Sequence, residues 1–441
     1  MKRAARTRGG TQLNQAALTL QLLLNGLTGY LFVRLLASLY GTTAQKDVFD
    51  IAYSVPFLLV NVGGLAFLHG LVTIRFAQML EVSSPDISEV YSSLMSWTIL
   101  VSSLLAVATV SAARPLMLVL APGLPDKYLS LGVQYLQILL PLAVTYSVSA
   151  LASAVLVALE HPISVEFSQI ASRLVVIAAG YGLSARLPLE RISLLLLIGS
   201  FGAAAAQIAI IHRVARLSFS WSLGTRFLHA NDLRTRGAWM LAAALSSQVA
   251  TAYLRRLATT DGIGTTAAIG YSFALIAPVG VIIGKPFALA LGPGIVRDMA
   301  AGQTSRAGRC IRAGAFGALA CGFAIAILIN VFGAPLTALA LKSGEFDNQS
   351  VEITRELLSI VAWSLPPAIV LWVFFMPLLA DASPRSAGLV YVAGYSFQAV
   401  LCWALFDILG RHGLAWAYVA GVSLQAFAAG WVLRHQLITT T

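Results

Sequence analysis

Long apolar stretches recur along the whole chain, and they constrain its fold more than any other feature of the sequence. Hydrophobic residues make up 58% of the 441 residues, charged residues only 11%, and the mean hydropathy is +0.82. A soluble domain carries about 25% charged residues, so one water-soluble core would lack the polar surface to cover it. Each stretch is long enough for a membrane span of about 20 residues. The sequence therefore predicts an integral membrane protein.

The apolar stretches number twelve, and all are predicted to be helices. A backbone exposed to lipid must satisfy its own hydrogen bonds, and these stretches are too long and too evenly apolar for the alternating strands of a barrel. The predicted fold class is all-α, with about twelve transmembrane helices. The predicted spans are residues 12–40, 48–80, 90–112, 128–159, 164–185, 190–212, 236–258, 265–296, 310–334, 352–380, 386–408 and 412–434.

The positions of Lys and Arg indicate how these spans are oriented. If the N-terminus is cytoplasmic, the inside segments hold sixteen of the 29 Lys and Arg residues and the outside segments hold ten. Because cytoplasmic loops carry an excess of basic residues, both termini are predicted to be cytoplasmic. The first apolar run is long and lacks a clear small-residue cleavage site, so it is predicted to be a retained span. The net charge of +11 is attributed to these loops and to contact with anionic membrane lipids, not to nucleic-acid binding.

Spans two and eight share a residue pattern that indicates an internal repeat. In each span a tyrosine precedes a proline, and an arginine follows that proline by 19 residues. These residues are Tyr53, Pro56 and Arg75 in span two, and Tyr271, Pro278 and Arg297 in span eight. Residues 1–212 and 236–441 are therefore predicted to form two six-helix lobes, related by a pseudo-two-fold axis along the membrane normal.

This organisation favours a transporter that alternates between inward-open and outward-open states, with its cavity between the two halves. Residues 213–235 mix arginine with aromatic residues, and they are predicted to be an amphipathic helix or linker at the cytoplasmic surface. Pro56 and Pro278 loosen the helices that contain them. Both prolines are predicted to be gating positions.

Three basic residues remain inside the spans once the loops and span ends are assigned, and two more lie near the outer end of span seven. An Arg or Lys at the centre of a span costs about 2.5–3.5 kcal/mol on insertion scales, and no equal set of acids lies deep in the spans. A net positive cavity favours an anionic cargo, since guanidinium groups suit phosphate oxygens. The candidate substrate-binding residues are Arg34, Arg173, Lys285, Arg255 and Arg256.

For four of these five residues the sequence leaves an alternative open. Arg34 could instead extend to the outer surface, and Arg173 could pair with Glu166. Arg255 and Arg256 are adjacent and point in different directions, so at most one of them is expected to face a cavity.

Acidic residues mark the outer end of span two, in the stretch KDVFDIAYSVPFLL (46–59). Asp47 and Asp50 are three residues apart and so share a helical face. They are candidate gating or ion-coupling residues. Such a rim could attract an ion, repel a released anion or cap a helix N-terminus, and the sequence does not choose among these roles.

Four motifs resemble those of the MurJ (MviN-like) lipid II flippases, which belong to the multidrug/oligosaccharidyl-lipid/polysaccharide exporter superfamily. The first, GTTAQKDVFDIAYSVPFLL (41–59), has Gly41, Asp47, Phe49 and Pro56 in the family's order. The others are LAPGLPDKYLSLGVQYLQILLPLAV (120–144), Ser247-Gln248, and LADASPRSAGLVYVAG (379–394). The resemblance runs from about residue 15 to residue 437.

The resemblance implies a flippase of the bacterial cytoplasmic (inner) membrane, not an enzyme. Its cargo would be a polyprenyl-diphosphate-linked glycan, either a lipid II-like peptidoglycan precursor or an exopolysaccharide repeat unit. Transport would be driven by a coupling ion (Na+ or H+) or by the membrane potential, without another cofactor. The expected partners are the lipid-linked anionic glycan and membrane lipids, with no nucleotide or nucleic acid, and the expected state is a monomer.

The sequence departs from the family at the arginines that line the flippase cavity in spans one, two and eight. A rough alignment places Phe32, Val60, and Phe273 or Ala274 there, and an acidic residue is missing near Leu65. The family also usually has fourteen spans, of which the last two help to shape a groove for the lipid tail. We hypothesise that Arg34 and Lys285 restore the positive charge from new positions.

Two other functions remain open. A cation-coupled exporter of drugs or small molecules, from the same superfamily, would need buried acids that face its cavity, and the spans contain few. A membrane-embedded glycosyltransferase or polymerase usually needs a large outside loop with catalytic polar residues. The longest such loop here, around residues 341–352, is short.

Overall fold

The computed structural model describes residues 2–62, 72–73, 76, 79, 87–159, 161, 167–182, 187–224, 231–380 and 384–439. These residues contain helices and no strand, which confirms the predicted all-α fold class. The α-helices are α1 (Lys2–Tyr40), α2 (Ala44–Val62), α3 (Ile87–Ser111), α4 (Ala113–Leu120), α5 (Asp126–Leu139), α6 (Pro141–Ala158), α7 (Phe167–Gly182), α8 (Leu189–Ala215), α9 (Asn231–Asp261), α10 (Thr265–Ala300), α11 (Thr304–Leu341), α12 (Asn348–Val361), α13 (Leu365–Ala380), α14 (Pro384–Leu409) and α15 (Arg411–Thr439).

Nine helical segments of the described residues are long and apolar enough to cross a membrane. They are Leu23–Tyr40, Ile87–Ser111, Asp126–Ala158, Leu189–Ala215, Thr265–Ala300, Thr304–Leu341, Asn348–Phe375, Arg385–Leu409 and Arg411–Ile438. Helices α2, α7 and α9, which correspond to predicted spans two, five and seven, are not among them. The count of twelve spans stays a prediction.

Prolines account for the main differences between the predicted spans and the helices. Predicted span 128–159 is divided at Leu140, because Pro141 begins a new helix at the position where its missing N–H costs nothing. Pro115 likewise lies in the first turn of α4, a short helix outside the predicted spans. In α11, Phe332 has non-helical angles (φ −106°, ψ 15°) three residues before Pro335, so the helix is kinked there.

The chain forms two compact units. The first comprises Met1–Leu35, Ile51–Met117 and Leu129–Gly237, and the second comprises Leu36–Asp50, Leu118–Tyr128 and Ala238–Thr441. The predicted lobes place residues 36–50 and 118–128 with the first half of the chain, whereas these segments pack with residues 238–441. The two-fold relation between lobes stays a prediction.

In the first unit, helix α6 packs against both α3 and α8. A buried polar ladder joins α6 to α8. Gln207 accepts a hydrogen bond from Ser149 (2.6 Å) and donates one to Ser153 (2.9 Å). Small side chains on α6 let the two helices approach closely, and hydrogen bonds of this kind fix their register in an apolar setting.

The predicted linker, residues 213–235, begins in the last residues of α8 and ends in the first residues of α9, and its described middle part is not helical. Arg216 ends α8 in the left-handed conformation (φ 54°), and residues 217–224 form no helix. This segment lies on α3, where the N–H of Ser222 donates to Ser96 Oγ at 3.0 Å. Residues 225–230 lie outside the described residues.

In the second unit, a close backbone contact holds the turn between α1 and α2. Gly41 ends α1 with φ +52°, and a Cβ built there would lie only 2.4 Å from the carbonyl oxygen of Glu345. The N–H of Glu345 donates to Ser38 of α1 at 2.9 Å. Asp347 fixes the far side of this loop by capping α12, since it accepts from the Ser350 N–H at 2.8 Å, a bond that lowers the pKa of Asp347.

We expect the substitution Gly41→Ala to lower the free energy of unfolding by at least about 1–2 kcal/mol, the usual cost of a left-handed backbone for a residue with a Cβ. The new methyl group would also push the Glu345 loop away from α1. The measurement is the thermal unfolding midpoint of the purified protein in detergent. Gly202→Ala is the matched control, because Gly202 lies on an open helix face with nothing within 4 Å of its Cβ position. Equal midpoints for the two variants would contradict the prediction.

Candidate functional site

Charged and aromatic residues of the second unit surround the first turns of α2. This group, the α2 N-terminal cluster, contains two of the predicted gating residues and one of the predicted binding residues. Its members are Lys46, Asp47, Asp50, Arg255 and Tyr271.

Asp47 is fully buried and caps a helix other than its own. Its Oδ2 accepts from the N–H of Gly264 at 2.6 Å, and its Oδ1 accepts from the N–H of Ala267 at 2.7 Å. Gly264 is the N-cap of α10 and has no side chain to satisfy the free N–H groups of the first turn. The carboxylate supplies this cap and also interacts favourably with the positive end of the helix dipole. Of the three roles left open for the acidic residues, the geometry of Asp47 matches capping.

The approach of Asp47 depends on a glycine. Gly264 has φ +89°, and a Cβ built on it would lie 2.5 Å from the carbonyl oxygen of Thr42, in the turn before α2. Only a residue without a side chain lets the two backbones come this close.

Lys46 and Asp50 form an ion pair one turn apart on α2, with Nζ 2.5 Å from Oδ2. Lys46 is 3% exposed, and its ammonium lies 4.8 Å from the centroid of the Tyr271 ring, a cation–π contact. Lys46 was not among the predicted site residues. Its spacing of four from Asp50 is the signal that could have identified it.

The two adjacent arginines of α9 face different environments. Arg255 is half-buried, and its Nη1 donates to the backbone carbonyl of Asp50 at 3.3 Å, whereas Arg256 is exposed. The cluster holds two basic and two acidic side chains. Arg255 therefore lies in a balanced group and not in a net positive one.

Tyr271 connects the start of α10 to the turn between α1 and α2. Its hydroxyl donates to the carbonyl of Gly41 at 2.8 Å, and its ring meets Phe346 edge to face at 5.3 Å. In the sequence Tyr271 marked only the internal repeat. Its burial at the cluster could not be read from that pattern.

The Ala-Pro-Gly loop, the second motif of the family resemblance, lies against the end of α9. The N–H of Gly123 donates to Thr259 Oγ1 at 3.4 Å, and a Cβ at Gly123 would lie 2.0 Å from the Thr259 carbonyl oxygen. The glycine of this motif is thus required by a close backbone approach.

Arg173, in the first unit, is held by neutral amides. Its guanidinium donates to Asn25 Oδ1 at 2.8 Å and to Gln169 Oε1 at 3.3 Å. It lies across Gly29 of α1, where a Cβ would approach Nη1 to 3.2 Å. No carboxylate in the described ranges forms an ion pair with it, and Glu166, the partner suggested by sequence, lies outside those ranges. The described contacts therefore position the Arg173 charge without neutralising it.

Arg34 and Lys285 are both half-buried. Arg34 donates to the hydroxyl of Tyr30, one turn earlier on α1, at 3.3 Å. Lys285 follows Gly284, whose Cα packs against the ring of Trp372. Neither residue forms an ion pair within the part of the chain that the structure describes. Within the second unit, Lys285 has no described contact with the α2 N-terminal cluster.

Apolar packing occupies the positions that the sequence comparison predicted for the family's cavity arginines. Phe32 is 5% exposed, with its ring centroid 6.4 Å from that of Tyr53. Val60 is buried, and Phe273 packs on Tyr418 at 4.6 Å. Leu65 lies outside the described residues. These side chains are parts of packed surfaces, so they provide no anion site.

The predicted gating prolines lie inside helices. Pro56 is in α2, and Pro278 is in α10 together with Pro286 and Pro293. Each removes one backbone donor from its helix. Their gating role stays a prediction. Within the described residues, no group of three or more His, Cys, Asp or Glu side chains could hold a metal ion.

Comparison with known proteins gives a family match over most of the chain. The family model described as lipid II flippase MurJ matches residues 36–441. A search of curated proteins found no match.

Solved structures share the fold of this chain at low sequence identity. A lipid II flippase MurJ in an inward closed conformation matches with a TM-score of 0.77 and 13% identity, covering 96% of this chain and 89% of that chain. An inward-facing MATE family multidrug resistance transporter of the MOP superfamily matches with a TM-score of 0.73 and 14% identity, covering 95% of both chains. A MOP superfamily transporter from Pyrococcus furiosus matches with a TM-score of 0.66 and 14% identity, covering 97% of this chain and 96% of that chain.

The structural matches establish the fold, and the family model establishes the relationship that the four motifs predicted. The model extends from the end of α1 to the last residue. The matched region therefore includes the turns at Gly41 and Gly264 and the α2 N-terminal cluster. This chain belongs to the MurJ lipid II flippase family.

Proposed function

We propose that this protein is a flippase that moves a lipid-linked glycan precursor across the cytoplasmic membrane. The observation that carries this proposal is the MurJ family match over residues 36–441. The cargo is a polyprenyl-diphosphate-linked glycan, either a lipid II-like peptidoglycan precursor or an exopolysaccharide repeat unit. The absence of the family's arginines at Phe32, Val60 and Phe273 makes a glycan other than the peptidoglycan precursor a specific candidate.

The described cations support an anionic headgroup as the cargo's recognition element. Arg34, Arg173 and Lys285 are half-buried, and none is paired with a described carboxylate. A guanidinium held by amides, as at Arg173, retains its charge for a diphosphate. Arg255 contributes less in this proposal, because Asp50 lies against it.

A cation exporter of the same superfamily is the second candidate, since MATE transporters share the fold. Such a protein needs a carboxylate that is free for a cationic drug. Asp47 is occupied by two backbone N–H groups and Asp50 by Lys46. This occupancy favours the flippase.

The proposed cycle is alternating access, with the α2 N-terminal cluster as a gate. Hydrogen bonds from Gly264 and Ala267 to Asp47 hold the start of α2 on the start of α10. They are localised polar contacts that can break and reform, while Pro56 and Pro278 let the two helices bend. A coupling ion (Na+ or H+) or the membrane potential drives the cycle, and the protein works as a monomer.

Neutralising the free cations is expected to abolish most transport. For the double variant R34Q/K285Q we expect a fall of roughly tenfold or more in flipping rate, because each charge-assisted contact is worth about 1.5–3 kcal/mol. The measurement is the flipping of a fluorescent polyprenyl-diphosphate glycan in proteoliposomes, with a cationic dye as a parallel substrate. The charge-preserving pair R34K/K285R should retain activity, and Arg213→Gln, on an exposed helix end, serves as the control. A wild-type rate in R34Q/K285Q contradicts the role of these residues, and dye export without glycan flipping favours the cation exporter.

Asp47→Asn is expected to impair both stability and transport. The amide has one acceptor oxygen, so one of the two N–H groups of α10 would face a donor and lose its partner, at a cost of about 1–3 kcal/mol. Thermal midpoints and flipping rates are measured together. The matched control is Asp347→Asn, an exposed N-cap with one bond from Ser350, where asparagine caps about as well as aspartate. Identical behaviour of the two variants would show that the cap of α10 has no special role.

Both termini are proposed to be cytoplasmic. Fusion of a fluorescent protein to the C-terminus should give fluorescent cells, since such proteins mature in the cytoplasm. Fusion of alkaline phosphatase at the same position should give no phosphatase activity. The opposite pattern would reverse the proposed orientation.

A further inference from the structure

An open apolar cleft lies in the second unit, between α11, α13 and α15, and has a volume of about 670 Å³. We call it the α11–α15 cleft, and it is defined by Leu319, Phe323, Val370, Phe427, Trp431 and Arg434. None of the candidate binding or gating residues lines it. It is therefore a feature separate from the proposed transport machinery.

The cleft opens onto the outer surface of the helices. Phe323, Phe427 and Trp431 are 46%, 72% and 61% exposed. Aromatic side chains this exposed on membrane-crossing helices contact hydrocarbon chains, not water. The occupant is thus expected to enter sideways from the bilayer.

The length of the cleft corresponds to one leaflet. Its lining on α15 runs from Ser423 to Arg434, which at 1.5 Å per residue is about 16 Å. Half of a hydrocarbon core about 30 Å thick is nearly the same distance. A single acyl chain of one leaflet therefore matches the cleft in depth.

One end of the cleft is basic. On α15, Arg434 lies at this end of the cleft. On α11, Arg312 lies three residues before the lining residue Ala315, so Arg312 and Ala315 face the same side of α11. The two helices meet at this end, because a Cβ at Gly308 would lie 3.5 Å from the side chain of Leu437. Both arginines are exposed, and neither is ion-paired with a carboxylate of the described residues.

From this charge and shape we propose that the α11–α15 cleft binds an anionic phospholipid. Its phosphate contacts Arg434 and Arg312, and one acyl chain lies along Phe323, Phe427 and Trp431. The apolar groove alone would accept any hydrophobic segment. The unpaired cations at one end select a lipid with a negative headgroup over a neutral lipid or a purely apolar helix.

Native mass spectrometry of the full-length protein in detergent tests this proposal. The protein is titrated with dioleoyl phosphatidylglycerol or with dioleoyl phosphatidylcholine, which share acyl chains and differ in net charge. We expect preferential retention of phosphatidylglycerol, roughly tenfold by affinity. The variant R312Q/R434Q should lose the preference, R312K/R434K should keep it, and Arg213→Gln serves as the control for a remote basic residue. Ala315→Phe, which fills the cleft, should reduce retention of both lipids.

Several outcomes would overturn the proposal. One is equal retention of the two lipids by the wild-type protein, and another is an unchanged preference in R312Q/R434Q while R312K/R434K folds normally. Displacement of phosphatidylglycerol by an equimolar polyprenyl phosphate would assign the cleft to the tail of the cargo. Failure to retain either lipid would show that the cleft does not bind phospholipid and would favour a protein helix as its occupant. Only the polyprenyl phosphate result concerns the cargo, and it does not measure flipping, so the transport assay tests the proposed function separately.

Discussion

The buried carboxylate of Asp47 is the interaction on which the organisation around the site depends. A helix begins with N–H groups that have no partner inside the helix, and a chain with few polar side chains has few ways to satisfy them. In α10 the first residues are glycine, threonine and alanine, so the cap comes from α2. The position of Asp47 then determines where the rest of the cluster lies. Lys46 and Asp50 come from the adjacent turn of the same helix, and Tyr271 comes from the second turn of α10.

The cluster and the candidate cations differ in how their charges are compensated. In the α2 N-terminal cluster, acids and bases are present in equal number: Lys46 pairs with Asp50, while Asp47 and Arg255 bond to backbone groups. Arg34, Arg173 and Lys285 instead have hydrogen bonds to neutral groups or no described ionic partner. A chain pays for such unpaired cations in its apolar regions. The proposed anionic cargo would give these cations a function that offsets this cost.

The sequence predicted the helical class and the family, because hydropathy and spaced motifs are properties of the chain alone. It also predicted that Arg255 and Arg256 point in different directions, which follows from helix geometry. It could not identify the partner of Asp47, since capping by a residue 217 positions away leaves no local pattern. The ion pair of Lys46 could have been predicted from its spacing of four residues from Asp50. The non-helical conformation of residues 217–224 could not have been predicted, because aromatic and basic residues also alternate in irregular chains that lie on a helix surface.

Three glycines of the second unit make close contacts between backbone atoms, with no side chain between them. At Gly41, Gly264 and Gly344 a bare Cα faces the carbonyl oxygen of Glu345, Thr42 or Ser38. Ordering a glycine freezes no side-chain rotamers, whereas a long side chain can lose about 1.5–2 kcal/mol of rotamer entropy on burial. Contacts built this way close without a search among side-chain conformations and separate without leaving a cavity that must be refilled. If the proposed gate opens and closes at these turns, the lack of side chains that makes them intolerant of substitution would also let their contacts break and reform.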